Sequence, residues 1–372
     1  MKEHIDKVPV LTHFDTVYTK YHSKKYCFFG GYDYHRLGSN PAIIAEMHSA
    51  ALTYGLNSSG SRQTTGTHPL HLQLEKAIAD FTGHAAAILT NSGYLANITA
   101  LLALQNQYSH FFFDEKIHPS IRDAMRLCAT PKVAFLHQSV EDLEIKTKEL
   151  AKSENFRPLV LSEATGTIYG IISPVEKYTQ LAEKYGGKVF IDEAHTLGVL
   201  GKTGRGLAER AALSAEKRLS VGTLSKAFGV FGGFVCGTEE EIAAMRKVNA
   251  YVGSSAFPLN LAAGAIKSIQ IISEGPSMVM NLQEKALTAK KQLNEWGISH
   301  PIYETPVIAI LPKSDDEKDS LFQSLKEYEI FPSYINYPGG PANGYFRFAL
   351  SSAHSNEQID SLITAIRKGL QK

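Results

Sequence analysis

The sequence predicts an α/β protein with a mainly parallel, doubly wound central sheet and a smaller α+β domain towards its C-terminus. Between residues 85 and about 250, short runs rich in β-branched and aromatic residues alternate with longer helical patterns. Most of the short runs are continuously apolar, which is typical of strands that helices cover on both faces. After Pro258 a long helical region precedes shorter strand candidates, and this change predicts the second domain.

The predicted strands of the sheet share this apolar character and span residues 85–90, 110–114, 132–137, 158–162, 188–192, 218–223 and 232–237. The predicted helices between them show apolar residues at helical spacing and span residues 93–105, 120–127, 141–153 and 174–185. In the second domain we expect a helical region over 259–296, strands at 307–311 and 346–350, a turn-rich loop over 335–343 and a final helix over 356–370.

The chain is long enough for more than one domain. Its 372 residues exceed the roughly 250 to 300 residues beyond which a single hydrophobic core rarely grows. We therefore predict an N-terminal segment over 1–45, a large domain over 46–258 and a small domain over 259–372.

Charge, apolar runs and cysteines limit the expected partners and location. The 38 basic and 37 acidic residues nearly cancel, which argues against nucleic acid or an anionic membrane surface as a partner. The most apolar stretch, 228–237, is well short of the roughly 20 residues that span a bilayer. Residues 1–10 lack the apolar region of a secretory signal, and the three cysteines are far apart, so we expect the cytoplasm and no thiolate metal site.

Polar residues follow the predicted strands at the points where the strands end. Because ligands of open α/β sheets bind beyond the carboxyl ends of the strands, these residues are the candidates for a site. The residues Ser92, Gly93 and Tyr94 open a helix whose first backbone N–H groups suit a phosphate. The other residues that follow strands are His118, Glu163, Thr165, Asp192, His195, Ser225 and Lys226.

Asp192 and Lys226, at successive strand ends, suggest a particular cofactor. A lysine amine can form a Schiff base with an aldehyde, and a carboxylate can keep a pyridine nitrogen protonated, so that the ring accepts electrons. Pyridoxal 5′-phosphate (PLP) needs both groups. It also needs hydrogen-bond donors for its phosphate, a phosphate cradle that residues 92–94 can supply, and a flat side chain packed against its ring, for which His118 is available. Each residue alone is more often structural, such as a helix cap, but their joint order favours the cofactor.

Several motifs resemble one enzyme family. The central ones are GTLSKAFGVFGG over 222–233 and IDEAHTLGVLGKTGRG over 191–206. Further matches are GSRQTTGTHPLHLQLE over 60–75, SGYLAN over 92–97, His118, and RFALSSAH over 347–354. From about residue 28 to 370 the chain resembles the α-oxoamine synthase family of fold-type I PLP-dependent transferases, which are related to class I/II aminotransferases.

The resemblance implies a role for each matching residue. Lys226 would be the Schiff-base lysine, Asp192 the partner of the pyridine nitrogen, and His195 a hydrogen-bond partner of the ring hydroxyl. His118 would lie against the ring. The phosphate would be held by Ser92, Gly93, Tyr94 and Thr223, with Ser255 of the neighbouring subunit of a homodimer. Arg347 would bind the carboxylate of an amino-acid substrate, a task that suits its planar, permanently charged guanidinium.

Two segments depart from the family pattern. Where the family commonly reads SMDGD, residues 167–171 read TIYGI, so both acidic residues are replaced. Where it commonly reads NDYLGL, residues 32–37 read YDYHRL, so Tyr32 replaces an asparagine expected near the substrate carboxylate. These departures leave the predicted PLP residues intact and affect the choice of substrates.

The resemblance implies an acyltransferase that condenses a small amino acid with an acyl-CoA and releases CO₂ and CoA. An aminotransferase, or an α-oxoamine synthase of lipid or signal-molecule synthesis, is the alternative. A non-catalytic protein that binds PLP is a third hypothesis, against which Lys226, Asp192, His195 and His118 count. We expect a cytoplasmic homodimer with small-molecule substrates and no membrane or nucleic-acid partner.

Overall fold

The computed structural model describes residues 8–13, 15–152, 155–166, 168–336 and 340–371. Parts of four predictions lie outside these ranges: the N-terminal residues 1–7, Ser153 in the predicted helix 141–153, Thr167 in the segment 167–171 that departs from the family's SMDGD pattern, and residues 337–339 of the turn-rich loop.

The strands are β1 (Thr12–His13), β2 (Tyr18–Tyr21), β3 (Lys24–Cys27), β4 (Ala86–Thr90), β5 (His110–Asp114), β6 (Lys132–Phe135), β7 (Pro158–Glu163), β8 (Lys188–Asp192), β9 (Arg218–Thr223), β10 (Gly233–Gly237), β11 (Val307–Ile310), β12 (Tyr334–Ile335) and β13 (Tyr345–Ala349). The α-helices are α1 (Pro41–Tyr54), α2 (Pro69–Thr82), α3 (Gly93–Leu104), α4 (Pro119–Arg126), α5 (Val140–Leu150), α6 (Val175–Glu183), α7 (Leu207–Arg210), α8 (Glu239–Met245), α9 (Asn249–Val252), α10 (Leu259–Glu274), α11 (Pro276–Glu295), α12 (Asp315–Glu327) and α13 (Asn356–Leu370).

The described residues form two compact units. The larger contains residues 40–166 and 172–279, and the smaller contains described residues of 1–39, 167–171 and 280–372. The domain ranges expected from the sequence remain a proposal, and the larger unit differs from them by including α10. This helix packs closely on α1, since a Cβ atom on Gly264 would lie only 2.5 Å from Cγ of Met47.

The larger unit is built on a seven-stranded sheet of order β4-β10-β9-β8-β7-β5-β6. Strands β6, β5, β7, β8 and β9 pair in parallel, whereas β10 pairs antiparallel with both β9 and β4. The prediction of a mainly parallel, doubly wound sheet is confirmed. The parallel strands all end at the same edge, which collects the polar residues that follow them.

Two hydrophobic clusters lie on opposite faces of this sheet. Phe111 and Phe190 belong to one cluster, with residues of α3 and α4, and Phe112 and Val189 belong to the other, with residues of α5 and α6. Successive residues of a strand point to opposite faces. Most of the strands therefore carry apolar residues at consecutive positions because helices cover both faces, as the sequence predicted.

The smaller unit contains two antiparallel sheets, ordered β1-β2-β3 and β11-β13-β12. Its helices α12 and α13 pack against each other, with Leu325 and Leu362 fully buried. The predicted helical region 259–296 is two helices, because α10 ends at Glu274 and Pro276, which has no N–H to donate, begins α11. Along the described ranges, no helix combines the length and apolar character that crossing a membrane requires.

Candidate active site

Lys226 lies in a tight loop that follows β9. The loop is closed by backbone hydrogen bonds from Leu224 N to Gly232 O and from Val230 N to Leu224 O, both 2.9 Å. These bonds hold the loop that carries Lys226, and the Nζ atom of this half-buried lysine lies 2.8 Å from Nε2 of His195. Two residues assigned by resemblance to the cofactor ring are therefore in direct contact.

Asp192 is the last residue of β8, the parallel neighbour of β9. Its Oδ1 accepts a hydrogen bond of 3.0 Å from the backbone N–H of Ala194. Its Oδ2 accepts one of 3.0 Å from the side-chain amide of Asn97 on α3. Hydrogen-bond donors thus hold both carboxylate oxygens in place.

His118 caps the N-terminus of α4. Its Nδ1 accepts the backbone N–H of Ser120 at 3.2 Å and lies 2.7 Å from the Ser120 hydroxyl. Burial lowers the pKa of His118, and the positive charge of Lys226 lowers it further, whereas Asp192 acts in the opposite direction. The imidazole is therefore held near Asp192 and Lys226 largely in its neutral form.

The first turn of α3 forms the predicted phosphate cradle. The Ser92 hydroxyl caps the helix by accepting the N–H of Leu95 at 3.1 Å. The backbone N–H groups of Gly93 and Tyr94 lie between the cap and Leu95, in the first turn of the helix. A Cβ atom on Gly93 would lie 3.4 Å from Cβ of Thr223, which brings the turn against the end of β9. The Tyr94 side chain is turned away, because its hydroxyl bonds the Asp123 carboxylate.

These residues fit PLP in their chemistry. The N-terminus of α3 supplies backbone donors for a phosphate, and glycine at position 93 leaves room for an anion beside the helix. Asp192 supplies a fixed carboxylate and Lys226 an amine at neighbouring strand ends. The Thr223 hydroxyl donates to Gly232 O at 2.7 Å, so it would have to rotate before donating to a phosphate.

Ser255 lies beside the same cradle. Its carbonyl oxygen accepts a hydrogen bond of 3.1 Å from the side chain of Asn91, and its backbone forms an isolated antiparallel bridge with Ser61. Neither Ser254 nor Ser255 caps the helix that follows them. That helix begins after Pro258 without a side-chain cap, and the Ser254 hydroxyl donates to Ala250 O at 2.6 Å.

Arg347 belongs to the smaller unit, on strand β13. Its guanidinium donates to Gly31 O at 3.2 Å and hydrogen-bonds the buried Tyr34 hydroxyl. The segment 32–37 that departs from the family pattern thus packs beside Arg347. Within it Arg36 has a φ of 55°, a conformation that favours glycine, and the family's NDYLGL pattern has glycine there.

Glu163 is a half-buried acid that the sequence placed at a strand end without giving it a role. It ends β7 and pairs in register with Asp192 on β8, and its carboxyl group accepts the backbone N–H of His118. Burial raises the pKa of Glu163 to about 8, the negative charge of Asp192 contributes, and Lys226 opposes the shift. Glu163 is therefore a neutral acid at pH 7.

The raised pKa of Glu163 predicts a pH-dependent stability. The pKa of Glu163 is near 4.5 in the unfolded chain and about 8 in the folded protein. The folded state therefore binds more protons than the unfolded state between these two pH values. Stability must then fall as the pH rises from about 4.5 to 8, by at most about 1.4 kcal/mol per pH unit from this group. In Glu163→Gln we expect that contribution to vanish. The melting temperature of the variant should therefore rise relative to that of the wild type as the pH increases towards 8. The exposed Glu216→Gln serves as the control, and equal pH slopes in all three proteins would contradict the assignment.

Comparisons with known proteins identify the family of the chain. The family described as aminotransferase class I and II matches residues 29–366. The 8-amino-7-oxononanoate synthase 1 of Bacillus velezensis is 31% identical over 91% of this chain and 87% of its own. The 5-aminolevulinate synthase of Rhizobium meliloti is 31% identical over 90% of this chain and 83% of its own. A serine palmitoyltransferase variant from S. paucimobilis, solved with bound PLP and myriocin, superposes with a TM-score of 0.89 at 26% identity, covering 97% of this chain and 92% of that chain.

The fold, the neighbouring lysine and aspartate, and the matched sequence define a PLP-dependent transferase of the aminotransferase class I and II fold. Within that class, the chain belongs to the α-oxoamine synthase family. It is a PLP-dependent enzyme of the acyltransferase type, and the fold and cofactor expected from the sequence are confirmed.

Proposed function

We propose that the enzyme condenses a small amino acid with an acyl-CoA, releasing CO₂ and CoA, as 8-amino-7-oxononanoate synthase does in biotin biosynthesis. The relation to the Bacillus velezensis enzyme over 91% of the chain supports this choice of family member. The observation that carries the reaction type is the placement of Lys226 and Asp192 at the ends of two adjacent parallel strands.

Each residue of the site has a task that its chemistry permits. When bound, PLP supplies an aldehyde and an electron-accepting ring that stabilises negative charge on the amino-acid carbon. Asp192 would hold a proton at the pyridine nitrogen, and the amine of Lys226 would bind the aldehyde and could take the α-proton of the substrate. His118 would lie against the ring, and His195, whose Nε2 is 2.8 Å from Lys226 Nζ, would bond the ring hydroxyl. Arg347 binds the substrate carboxylate.

Product analysis tests the proposed reaction against its alternative. The purified enzyme with PLP is incubated with a panel of amino acids and a thioester, and free CoA is measured with a thiol reagent. CoA release that depends on one amino acid, with equal release of CO₂ from its carboxyl group, is the expected result. Formation of an α-keto acid from the amino donor without CoA release would instead identify an aminotransferase, and no turnover with bound PLP would favour a non-catalytic protein.

We further propose that the enzyme works as a cytoplasmic homodimer whose sites are shared. Ser255 lines an open cavity of about 580 Å³ on the larger unit, and this placement supports contact with a group of a second subunit. The unit also exposes large apolar side chains, among them Leu52 and Leu56, at 76% and 63%, which a second copy would cover. Two-fold symmetry would repeat the Ser255 contact at both sites.

Mixing inactive variants tests the shared site. If Ser255 completes the partner's site, a heterodimer of Lys226→Ala and Ser255→Trp subunits carries both lesions in one site and leaves the other intact. Random exchange should then restore about a quarter of wild-type activity, because half of the dimers are mixed and each has one working site. Ser273→Trp, at an exposed position of α10, is the control and should be active by itself. Subunit exchange without recovery, or a fully active monomer, would contradict the shared site.

A further inference from the structure

Asn97 and Ser120 join two site residues that come from different parts of the chain. The side-chain amide of Asn97 donates to Asp192 Oδ2 at 3.0 Å and to the Ser120 hydroxyl oxygen at 2.9 Å. The Ser120 hydroxyl lies 2.7 Å from Nδ1 of His118. Asn97 and Ser120 are each only 1% exposed, so water does not readily replace these bonds.

The charge of Asp192 sets the direction of every proton in this chain of bonds. A carboxylate only accepts hydrogen bonds, so the NH₂ group of Asn97, not its oxygen, must face Asp192. The same NH₂ group donates to the Ser120 oxygen, which leaves the Ser120 proton to point at His118 Nδ1. The Asn97 oxygen is left without a hydrogen-bond partner among the described residues, as this orientation requires.

His118 is thereby confined to one protonation state. Its Nδ1 accepts both the Ser120 hydroxyl and the Ser120 backbone N–H, so the ring proton lies on Nε2 and the imidazole is neutral. The charged groups that act on the ring come from β8 and from the loop after β9, namely Asp192 and Lys226, while Glu163 on β7 accepts the His118 backbone N–H.

We propose that Asn97 and Ser120 are positioning residues that transmit the negative charge of Asp192 to His118 and keep its imidazole neutral, with the proton on Nε2. This inference rests on the proposed function, in which His118 lies against a protonated pyridine ring. A neutral imidazole adds no second positive charge beside that ring, whereas an imidazolium would repel it. Asp192 therefore sets the protonation state of His118 as well as that of the pyridine nitrogen.

Two substitutions change the network in opposite ways. Ser120→Ala removes the hydroxyl proton from Nδ1, so Nδ1 can be protonated more easily. Asn97→Asp places a carboxylate against Ser120, so the hydroxyl proton turns towards it and the hydroxyl oxygen faces His118 Nδ1, which favours a proton on Nδ1. Ser120→Thr keeps the hydroxyl and should restore the wild-type state. Thr99→Val is the matched control, because Thr99 is also buried on α3 but its hydroxyl has no hydrogen-bond partner among the described residues.

The test follows the imidazole directly. In ¹⁵N-histidine-labelled holoenzyme, with the His118 signal assigned by His118→Asn, we expect the wild type, Thr99→Val and Ser120→Thr to stay neutral from pH 8 to pH 6. Ser120→Ala and Asn97→Asp should titrate within this range, and their PLP dissociation constants should rise about tenfold at pH 6, whereas the wild-type constant changes little. If the ¹⁵N signals of His118 in Ser120→Ala and Asn97→Asp showed the same pH dependence as in Thr99→Val, the inference would be overturned. If the ¹⁵N titrations behave as expected but the wild type releases no CoA, only the proposed reaction is contradicted, because the ¹⁵N signals do not depend on turnover.

Discussion

Replacing Lys226 with alanine should lower CoA release by roughly 10³-fold or more, because the variant lacks the amine that we propose binds the aldehyde and takes the α-proton. The fold should survive, since the loop that carries Lys226 is closed by backbone bonds such as Leu224 N to Gly232 O at 2.9 Å. The melting temperature of the variant should therefore remain near that of the wild type.

Chemical trapping gives this prediction a second measurement. Borohydride reduction of the wild-type holoenzyme should fix PLP to the peptide that contains Lys226, and mass spectrometry should find no such label in Lys226→Ala. The control is Lys202→Ala, which alters an exposed lysine in the loop after β8 and should keep both activity and label. Label on another lysine, or full turnover in Lys226→Ala, would remove Lys226 from the mechanism.

Replacing Asp192 with asparagine should lower turnover by roughly 10² to 10³-fold, the cost of losing one fixed electrostatic partner of a developing charge. The substitution keeps the shape of the side chain but removes the negative charge. It also turns an acceptor into a donor, and both Oδ atoms of Asp192 currently face donors, from Ala194 and Asn97. One of these bonds must therefore break.

Exchange of the amino-acid α-proton with solvent measures this effect without the acyl substrate. We expect exchange to fall with turnover in Asp192→Asn, while the cofactor remains bound through Lys226. Asp80→Asn, at an exposed residue of α2, is the control. An exchange rate equal to that of the wild type would show that Asp192 does not act on the ring.

The central sheet could be predicted because its strands are apolar at consecutive positions and end in polar residues. The bounds of β5, β8 and β9 agree with the predicted ranges to the residue. The order of Asp192 and Lys226 along the chain was sufficient to infer a cofactor, since parallel neighbours bring their carboxyl ends together.

Other parts of the site could not be predicted because their partners are distant in sequence. Asn97 contacts Asp192 across 95 positions, and nothing in the spacing of either residue indicates that contact. The raised pKa of Glu163 depends on burial and on neighbours from other strands. Similarly, the boundary near 258 followed a change of pattern, whereas α10 joins the larger unit by packing on α1, which only the structure reveals.

The antiparallel strand β10 has a consequence for how the protein is made. Gly233 pairs with Thr90 on one side and with Thr223 on the other, so the phosphate cradle and the end of β9 become neighbours only when β10 lies between them. During synthesis from the N-terminus, the ribosome must therefore release residues 233–237 before the cradle can form. A nascent chain that ends before Gly233 would already hold most strands of the sheet, but the turn of α3 proposed to hold the phosphate would not yet be placed beside the end of β9.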